Sequence, residues 1–277
     1  MGLDKRTIKI IVIVVVTLVV IGSITGLLLG LLLPRHYVQL EVWPQSDEYN
    51  YYEPLIHFRA GDPGSWHPWY KKINDFLRQY ETTVPEDPPR APCSVHRQDQ
   101  RLPVPNCEHV LSMWMPCNAD NFYGYVLGRP CVFLRLANIH YWVPEPYNVS
   151  VPLPIPNEMP NHIQQAMRQR PAQQFGDYVW VSCDGEFTSD KENIGPIQYI
   201  PHGFPPGFPV SKLHTADRIP YSARNLPDQS PGPLIGVFFE NPHRGVVINV
   251  ECRIWTRDIY YDSSSRVGRA RFELFIE

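Results

Sequence analysis

The hydrophobic pattern of the chain is dominated by one long apolar run near the N-terminus. Residues Ile10 to Leu33 contain no charged side chain and consist mostly of Ile, Val and Leu. As a helix rising about 1.5 Å per residue, they can cross a bilayer core of about 30 Å. A secretory signal peptide has a shorter apolar region, of about 7–15 residues, and then small residues at a cleavage site. This run ends in three leucines, Pro34 and Arg35, so the pattern predicts a transmembrane helix over residues 10–33.

The charges that flank the apolar run predict its orientation. Lys5, Arg6 and Lys9 precede it, whereas most of the charged residues that follow are acidic. Because basic flanking segments stay on the cytosolic side, we expect residues 1–9 to form a cytosolic tail. The uncleaved span then acts as a signal-anchor, and the chain is predicted to be a type II plasma-membrane protein whose C-terminal part is extracellular.

Small residues form a stripe along the predicted span. Gly22, Gly26 and Gly30 recur every four residues and so lie on one side of a helix. Small residues let another helix approach closely in lipid, where van der Waals packing drives helix association. We therefore predict that this stripe packs against a membrane helix of a partner.

Beyond the span, the pattern indicates one helix and several strands. Residues 34–57 show no clear period and are assigned to an extracellular stalk. Apolar residues at helical spacing predict an amphipathic helix over Trp69–Tyr80, either packed on the side of a sheet or serving as a lid or docking helix. The segments predicted as strands are Cys131–Leu136, Tyr178–Cys183, Leu234–Phe239, Val246–Trp255 and Arg269–Ile276.

The clearest alternation of apolar and polar residues lies in Val246–Trp255. Its polar face carries Asn249, Glu251 and Arg253. Such alternation is typical of half-buried antiparallel strands. We therefore predict a mainly β ectodomain over residues 58–277, an immunoglobulin-like antiparallel sandwich with a flanking short helix. Its long loops, Pro144–Gln174 and Gly195–Pro233, are where an interaction surface is expected.

Cysteine usage agrees with an extracellular location. An even number of cysteines, six in all, lies after the apolar run, as expected for disulfides in an oxidising compartment. They are Cys93, Cys107, Cys117, Cys131, Cys183 and Cys252. No two have the C-x-x-C spacing of a zinc or thioredoxin-type site. Asn148 begins an Asn-Val-Ser sequence, which predicts N-glycosylation.

Composition and motifs argue against several functions. The part of the chain after the span carries a net charge of about −5 without long charged runs, so a nucleic-acid partner is not expected. No P-loop, G-x-S-x-G elbow, H-E-x-x-H helix or glycine-rich dinucleotide turn is present. The ten histidines have no metal-ligand spacing. We therefore expect a protein that is not an enzyme, without catalytic residues, a metal or a cofactor.

Several local motifs, taken in order, resemble the β-subunit family of the sodium/potassium-transporting ATPase. They are Phe58–Pro63 with the helix after it, Tyr123–Asn138, Lys191–Pro196, Pro206–Pro209, Pro233–Phe239, Ile248–Cys252 and Gly268–Glu277. With the glycine stripe, the resemblance runs from the span to the C-terminus. The chain is identified as a divergent, invertebrate-like member of this X,K-ATPase β family.

The resemblance implies a non-catalytic subunit of a sodium- and potassium-transporting pump. Such a subunit binds the catalytic α subunit, assists its folding and membrane delivery, and modulates its K⁺ affinity; membrane lipid and a FXYD-like third subunit are further implied partners. It also implies cysteine pairing in sequence order: Cys93–Cys107, Cys117–Cys131 and Cys183–Cys252. The family's tyrosine-rich stretch that contacts α is replaced here by Lys212–Asn225. This departure motivates an alternative, a pump-independent adhesion or junctional protein with the same fold.

Overall fold

The computed structural model describes residues 14–23, 38–46, 54–81, 114–139, 142–147, 155–169, 177–217, 232–259 and 267–277. The chain divides into two units, Met1–His36 and Tyr37–Glu277. In the first unit, residues 14–23 are helical. Within the described residues, no helix combines the length and the apolar character needed to cross a membrane. The two ends of the predicted span lie outside the described residues.

The second unit is built mainly of β-strands. Its described strands are β1 (Gln39–Trp43), β2 (Leu55–Phe58), β3 (Cys131–Ala137), β4 (Tyr178–Gly185), β5 (Ile197–Ile200), β6 (Gly207–Pro209), β7 (Leu234–Phe239), β8 (Val247–Trp255) and β9 (Arg269–Ile276). Its described helices are α1 (Pro63–Glu81), α2 (Asn161–Gln169), α3 (Thr188–Asn193) and α4 (Val210–Asp217), with a 3₁₀ segment over Ala119–Leu127. All five predicted strands are confirmed, and β7 and β9 have the predicted bounds.

The strands form two sheets. The first has the order β1-β3-β7-β5 and the second the order β2-β9-β8-β4-β6. The pairings are antiparallel except for β2 with β9, which run parallel with Leu55 opposite Glu273. The prediction of a wholly antiparallel sandwich is therefore wrong at this edge. A parallel pair needs a long crossover connection, and here more than 200 residues separate the two strands.

Side chains from both sheets enter one hydrophobic core. Phe133, Val237 and Phe239 of the first sheet belong to the same buried cluster as Ile248 and Phe272 of the second. The rings of Phe239 and Phe272 meet edge to face, with centroids 6.2 Å apart. Full burial of one such side chain contributes about 1.5–3 kcal/mol, so this shared core holds the sheets together.

The helix after β2 begins earlier than its pattern predicts. The predicted span Trp69–Tyr80 lies inside α1, which starts at Pro63. Proline suits the first position of a helix because its missing N–H has no partner there. Asp62 precedes it and accepts a 3.0 Å hydrogen bond from the Gly64 amide. The apolar side of α1 packs beside β1, where Phe76 stacks on Trp43 at 4.4 Å, as the packing interpretation predicts.

Several strands and helices lie where the sequence predicts a stalk or loops. The stalk assigned to residues 34–57 contains β1 and all but the last residue of β2, and each of these strands pairs into a sheet. The long loops predicted over 144–174 and 195–233 contain α2, β5, β6 and α4. These elements are short, so their apolar pattern spans too few residues to be recognised.

Glu251 belongs to the polar side of the alternation in β8, but its side chain is buried. It is only 6% exposed and accepts hydrogen bonds from the side chains of Arg253 and Arg271. Arg269 lies 3.7 Å from the same carboxylate, and Arg271 also pairs with Glu186 at 3.0 Å. A buried carboxylate is tolerated only when it is paired, and here arginines of β8 and β9 supply the pairing.

Candidate disulfide and partner-binding sites

Two disulfides lie among the described residues. Cys183 of β4 and Cys252 of β8 face each other directly across the antiparallel pair and are bonded, with Cα atoms 4.0 Å apart. Cys117 is bonded to Cys131 at the start of β3, with Cα atoms 5.7 Å apart. These are pairings that the family resemblance implies. Cys93 and Cys107 lie outside the described residues, so their pairing stays a prediction.

A side-chain hydrogen bond links the two sheets next to the β4–β8 disulfide. The Cys183 amide donates to the Tyr199 hydroxyl oxygen at 2.7 Å, and Tyr199 belongs to β5 of the other sheet. Burial raises the pKa of Tyr199 above its ordinary value. The His162 ring lies 6.0 Å from the Tyr199 ring, and burial lowers the pKa of His162. Tyr199 is therefore a neutral, fixed contact between the sheets at neutral pH.

The other predicted site residues are only partly described. Gly22 lies in the helical residues 14–23, and a Cβ added there would meet nothing within 4 Å. Gly26, Gly30 and Asn148 lie outside the described residues. Of the stretch Lys212–Asn225, the residues up to Asp217 lie in α4, and the rest lies outside the described residues. The glycine stripe and the glycosylation site therefore remain predictions.

A left-handed turn places one aromatic side chain at the surface beside α1. Phe122 and Tyr123 have φ values of 49° and 51°, a conformation uncommon for residues with large side chains. The Tyr123 hydroxyl donates to Asn74 Oδ1 at 3.0 Å. Phe122 stays 41% exposed and contacts the rings of Trp66 and Tyr70, with centroids 5.2 and 5.5 Å away. The turn thus fixes an aromatic surface at the start of α1.

Two arginines form a second surface feature that the sequence does not predict. Arg129 and Arg244 line an open cavity of about 220 Å³ between the turn before β3 and the turn after β7. More than 100 residues separate them in sequence, and the pairing of β3 with β7 brings the two turns together. Gly128 and Arg129 lie in a stretch that resembles the family, but nothing in the sequence indicates that Arg244 lies beside them. The cavity could therefore be found only from the fold.

The described residues also lack the features of a metalloenzyme site. No group of three or more His, Cys, Asp or Glu side chains in the described part of the chain could hold a metal ion. The fold and its cysteines define the class of the protein: a disulfide-bonded domain of two β-sheets with short helices at its periphery.

Comparison with known proteins gives the family. The family described as "Sodium / potassium ATPase beta chain" matches residues 38–273. The match covers most of the second unit, from the residue before β1 to within β9. The chain belongs to this family.

Individual relatives agree with the family match. The chain is similar to sodium/potassium-transporting ATPase subunit beta-2 of Drosophila melanogaster, with 34% identity over 229 residues. It is 30% identical to subunit beta-1 of the same species. Each match covers 80% of this chain and 66% of the relative, so the chain spans just under two thirds of their length. Subunit beta-1 of Tetronarce californica is 27% identical, with coverage of 80% and 70%.

Proposed function

We propose that this chain is a non-catalytic β subunit of a P-type ATPase that transports Na⁺ and K⁺. In this role it assists the folding and membrane delivery of the catalytic α subunit and modulates its K⁺ affinity. The observation that carries the proposal is the family match over residues 38–273, together with relatives that are named as β subunits of this pump.

The proposal includes a type II topology. Residues 1–9 form the cytosolic tail, residues 10–33 span the plasma membrane, and the immunoglobulin-like domain lies outside the cell. The basic residues before the apolar run support this orientation. The two described disulfides support it independently, because disulfides persist in oxidising compartments. The proposal also includes a Cys93–Cys107 disulfide and a glycan on Asn148.

The membrane contact with the α subunit is assigned to the glycine stripe. Gly22, Gly26 and Gly30 would let an α helix approach closely, and the open space beside Gly22 is compatible with this. On the extracellular side, the segment 195–233 would contact α. Membrane lipid and a FXYD-like third subunit complete the proposed assembly.

Co-expression with a sodium/potassium pump α subunit tests the proposal. The full-length chain should co-purify with α in detergent and increase rubidium uptake that a pump inhibitor blocks. A chain that reaches the cell surface, is folded and leaves α behind would overturn the proposal. That outcome would favour the pump-independent adhesion role.

Variants of the glycine stripe test the membrane contact separately. Replacing Gly22, Gly26 and Gly30 with leucine should lower the amount of α recovered several-fold, because the added side chains separate the helices. The control replaces Val20 and Ile21 with leucine. At about 100° per residue, these two residues lie about 160° and 100° around the helix from Gly22, and about 80° and 180° from Gly30. If both sets of variants lose the same amount of α, or if neither set loses any, a specific contact at the stripe is contradicted.

A further inference from the structure

The turn that carries Arg244 is held rigidly by backbone contacts. The His243 amide donates to the Asn193 carbonyl at 2.7 Å, and the Gly245 amide donates to the Ile276 carbonyl at 2.8 Å. A Cβ on Gly195 would lie 2.5 Å from the Asn241 carbonyl oxygen, so this turn packs directly on backbone. The position of Arg244 is therefore set by the fold rather than by its own side-chain contacts.

The opposing turn is fixed equally closely. The Arg129 amide donates to the Gly124 carbonyl at 3.0 Å, and Gly128 has a φ of +67°. The Arg244 guanidinium packs against Gly128, where an added Cβ would lie 2.8 Å from one of its nitrogens. The same guanidinium donates to the Leu127 carbonyl at 2.8 Å. The two turns therefore form one preformed pocket.

Two of the residues that line the pocket are arginines. A guanidinium has five N–H donors, and Arg244 uses one of them on the Leu127 carbonyl. Among the described residues, neither Arg244 nor Arg129 forms an ion pair. The rest of the lining is Asn241, Pro242 and the Leu127–Gly128 backbone, with no acidic side chain. Among the described residues, the lining of this cavity of about 220 Å³ therefore includes two arginines and no residue of opposite charge.

We propose that this arginine pocket, lined by Leu127–Arg129, Asn241, Pro242 and Arg244, binds a small oxyanion: a carboxylate, sulfate or phosphate group. Planar guanidinium groups match the oxygen spacing of these anions and bind them through paired hydrogen bonds. The cavity admits one such group with a small substituent, but not a folded segment. The inference does not depend on the proposed function, because it rests only on the geometry of this domain.

Equilibrium dialysis of the full-length detergent-solubilised protein tests the proposal. The probes are radiolabelled sulfate, phosphate, acetate and the acidic sugar N-acetylneuraminate, with neutral N-acetylglucosamine as the uncharged control. Because the pocket is open to solvent, we expect dissociation constants of about 1 mM at low salt, weakening as salt rises. Binding of every anion would identify a general oxyanion site, filled by free anions. Binding of the acidic sugar alone would identify a glycan terminus as the source.

Arginine variants separate the pocket from general surface charge. Arg129→Gln, which changes an exposed side chain, should weaken binding at least five-fold, and adding Arg244→Gln should abolish it. Arg168→Gln is the matched control, since it removes one positive charge from an exposed position on α2. The Arg168→Gln protein should bind the anions with the same affinity as the unmodified protein. Absence of binding by all the anions up to about 10 mM, or unchanged binding in Arg129→Gln, would overturn the proposal.

Discussion

The buried Glu251 carboxylate allows a sharp test of how the second sheet tolerates charge in its interior. Glu251→Gln keeps the shape of the side chain and one acceptor oxygen but removes the negative charge. Arg269, whose side chain is only 8% exposed, would then lie next to an uncharged amide. Removing one partner of a buried ion pair costs about 3–5 kcal/mol. Arg271 keeps its ion pair with Glu186 at 3.0 Å. We therefore expect the free energy of unfolding to fall by about 3 kcal/mol, the lower end of this range.

Urea unfolding of the full-length protein in detergent, followed by tryptophan fluorescence, measures this loss. Glu145→Gln is the control, because Glu145 pairs with Arg257 at 3.6 Å on the surface. An exposed pair of this kind contributes at most about 1 kcal/mol. A Glu251→Gln protein within 1 kcal/mol of the unmodified protein would refute the reasoning. It would mean that the arginines find other acceptors or water.

The pH dependence gives a second readout of the same carboxylate. Burial opposes ionisation of Glu251, but hydrogen bonds from Arg253 and Arg271 prevail and hold its pKa below the ordinary value of 4.5. A depressed pKa contributes stability that is present above pH 4.5 and is lost as the pH falls through the folded-state pKa. The difference between the unmodified and Glu251→Gln proteins should therefore be constant from pH 7 to about pH 5 and shrink in more acidic solution. A difference that grows on acidification would contradict the assignment.

Two further predictions concern covalent and steric constraints, both measured by urea unfolding of the full-length protein. Replacing Cys183 and Cys252 with alanine opens a loop with a sequence separation of 69 and should cost about 4 kcal/mol. Removing the other described disulfide, with a sequence separation of 14, should lower the free energy of unfolding by about 3 kcal/mol on the same chain-entropy argument. A larger loss for this disulfide than for Cys183–Cys252 would contradict the argument. Gly124→Ala places a Cβ 1.9 Å from a backbone oxygen. Its free energy of unfolding should fall by clearly more than about 1–2 kcal/mol, which is the cost of the left-handed backbone conformation alone. Gly203→Ala is the control, with φ +86° and open space; equal losses in the two variants would show that the turn moves to accommodate the methyl group.

Strands with a long alternating or apolar run were predictable from sequence. β7 has the predicted bounds because it is apolar throughout and almost wholly buried. β9 has them because Phe272, Leu274 and Ile276 alternate into the shared core. Shorter strands such as β2 and β6, of four and three residues, give a pattern too brief to distinguish from a loop. Their pairing depends on neighbours distant in sequence, which local periodicity does not contain.

The candidate sites also differ in whether the sequence predicts them. Cysteines and the glycine stripe are visible as residue types at a spacing, so the sequence predicts them directly. The arginine pocket is not visible, because each arginine alone resembles a solvated surface residue. The alternation placed Glu251 on the polar face of its strand and did not indicate that it is buried. Its charge is neutralised by arginines that include Arg269 and Arg271 on the neighbouring strand. Charge compensation between strands follows from register, which the alternation of one strand does not reveal.

The parallel pairing of β2 with β9 has a consequence for biosynthesis. β2 is made early, but its hydrogen-bonding neighbour in the sheet lies about 220 residues later in the chain. At about 5–20 residues per second, the ribosome needs on the order of 10–40 s to supply that neighbour. During this interval β2 lacks the strand with which it pairs. Until translation reaches β9, the nascent chain therefore carries β2 without its sheet partner. In the topology proposed above, this interval is a defined window in which chaperones of the secretory pathway can bind it.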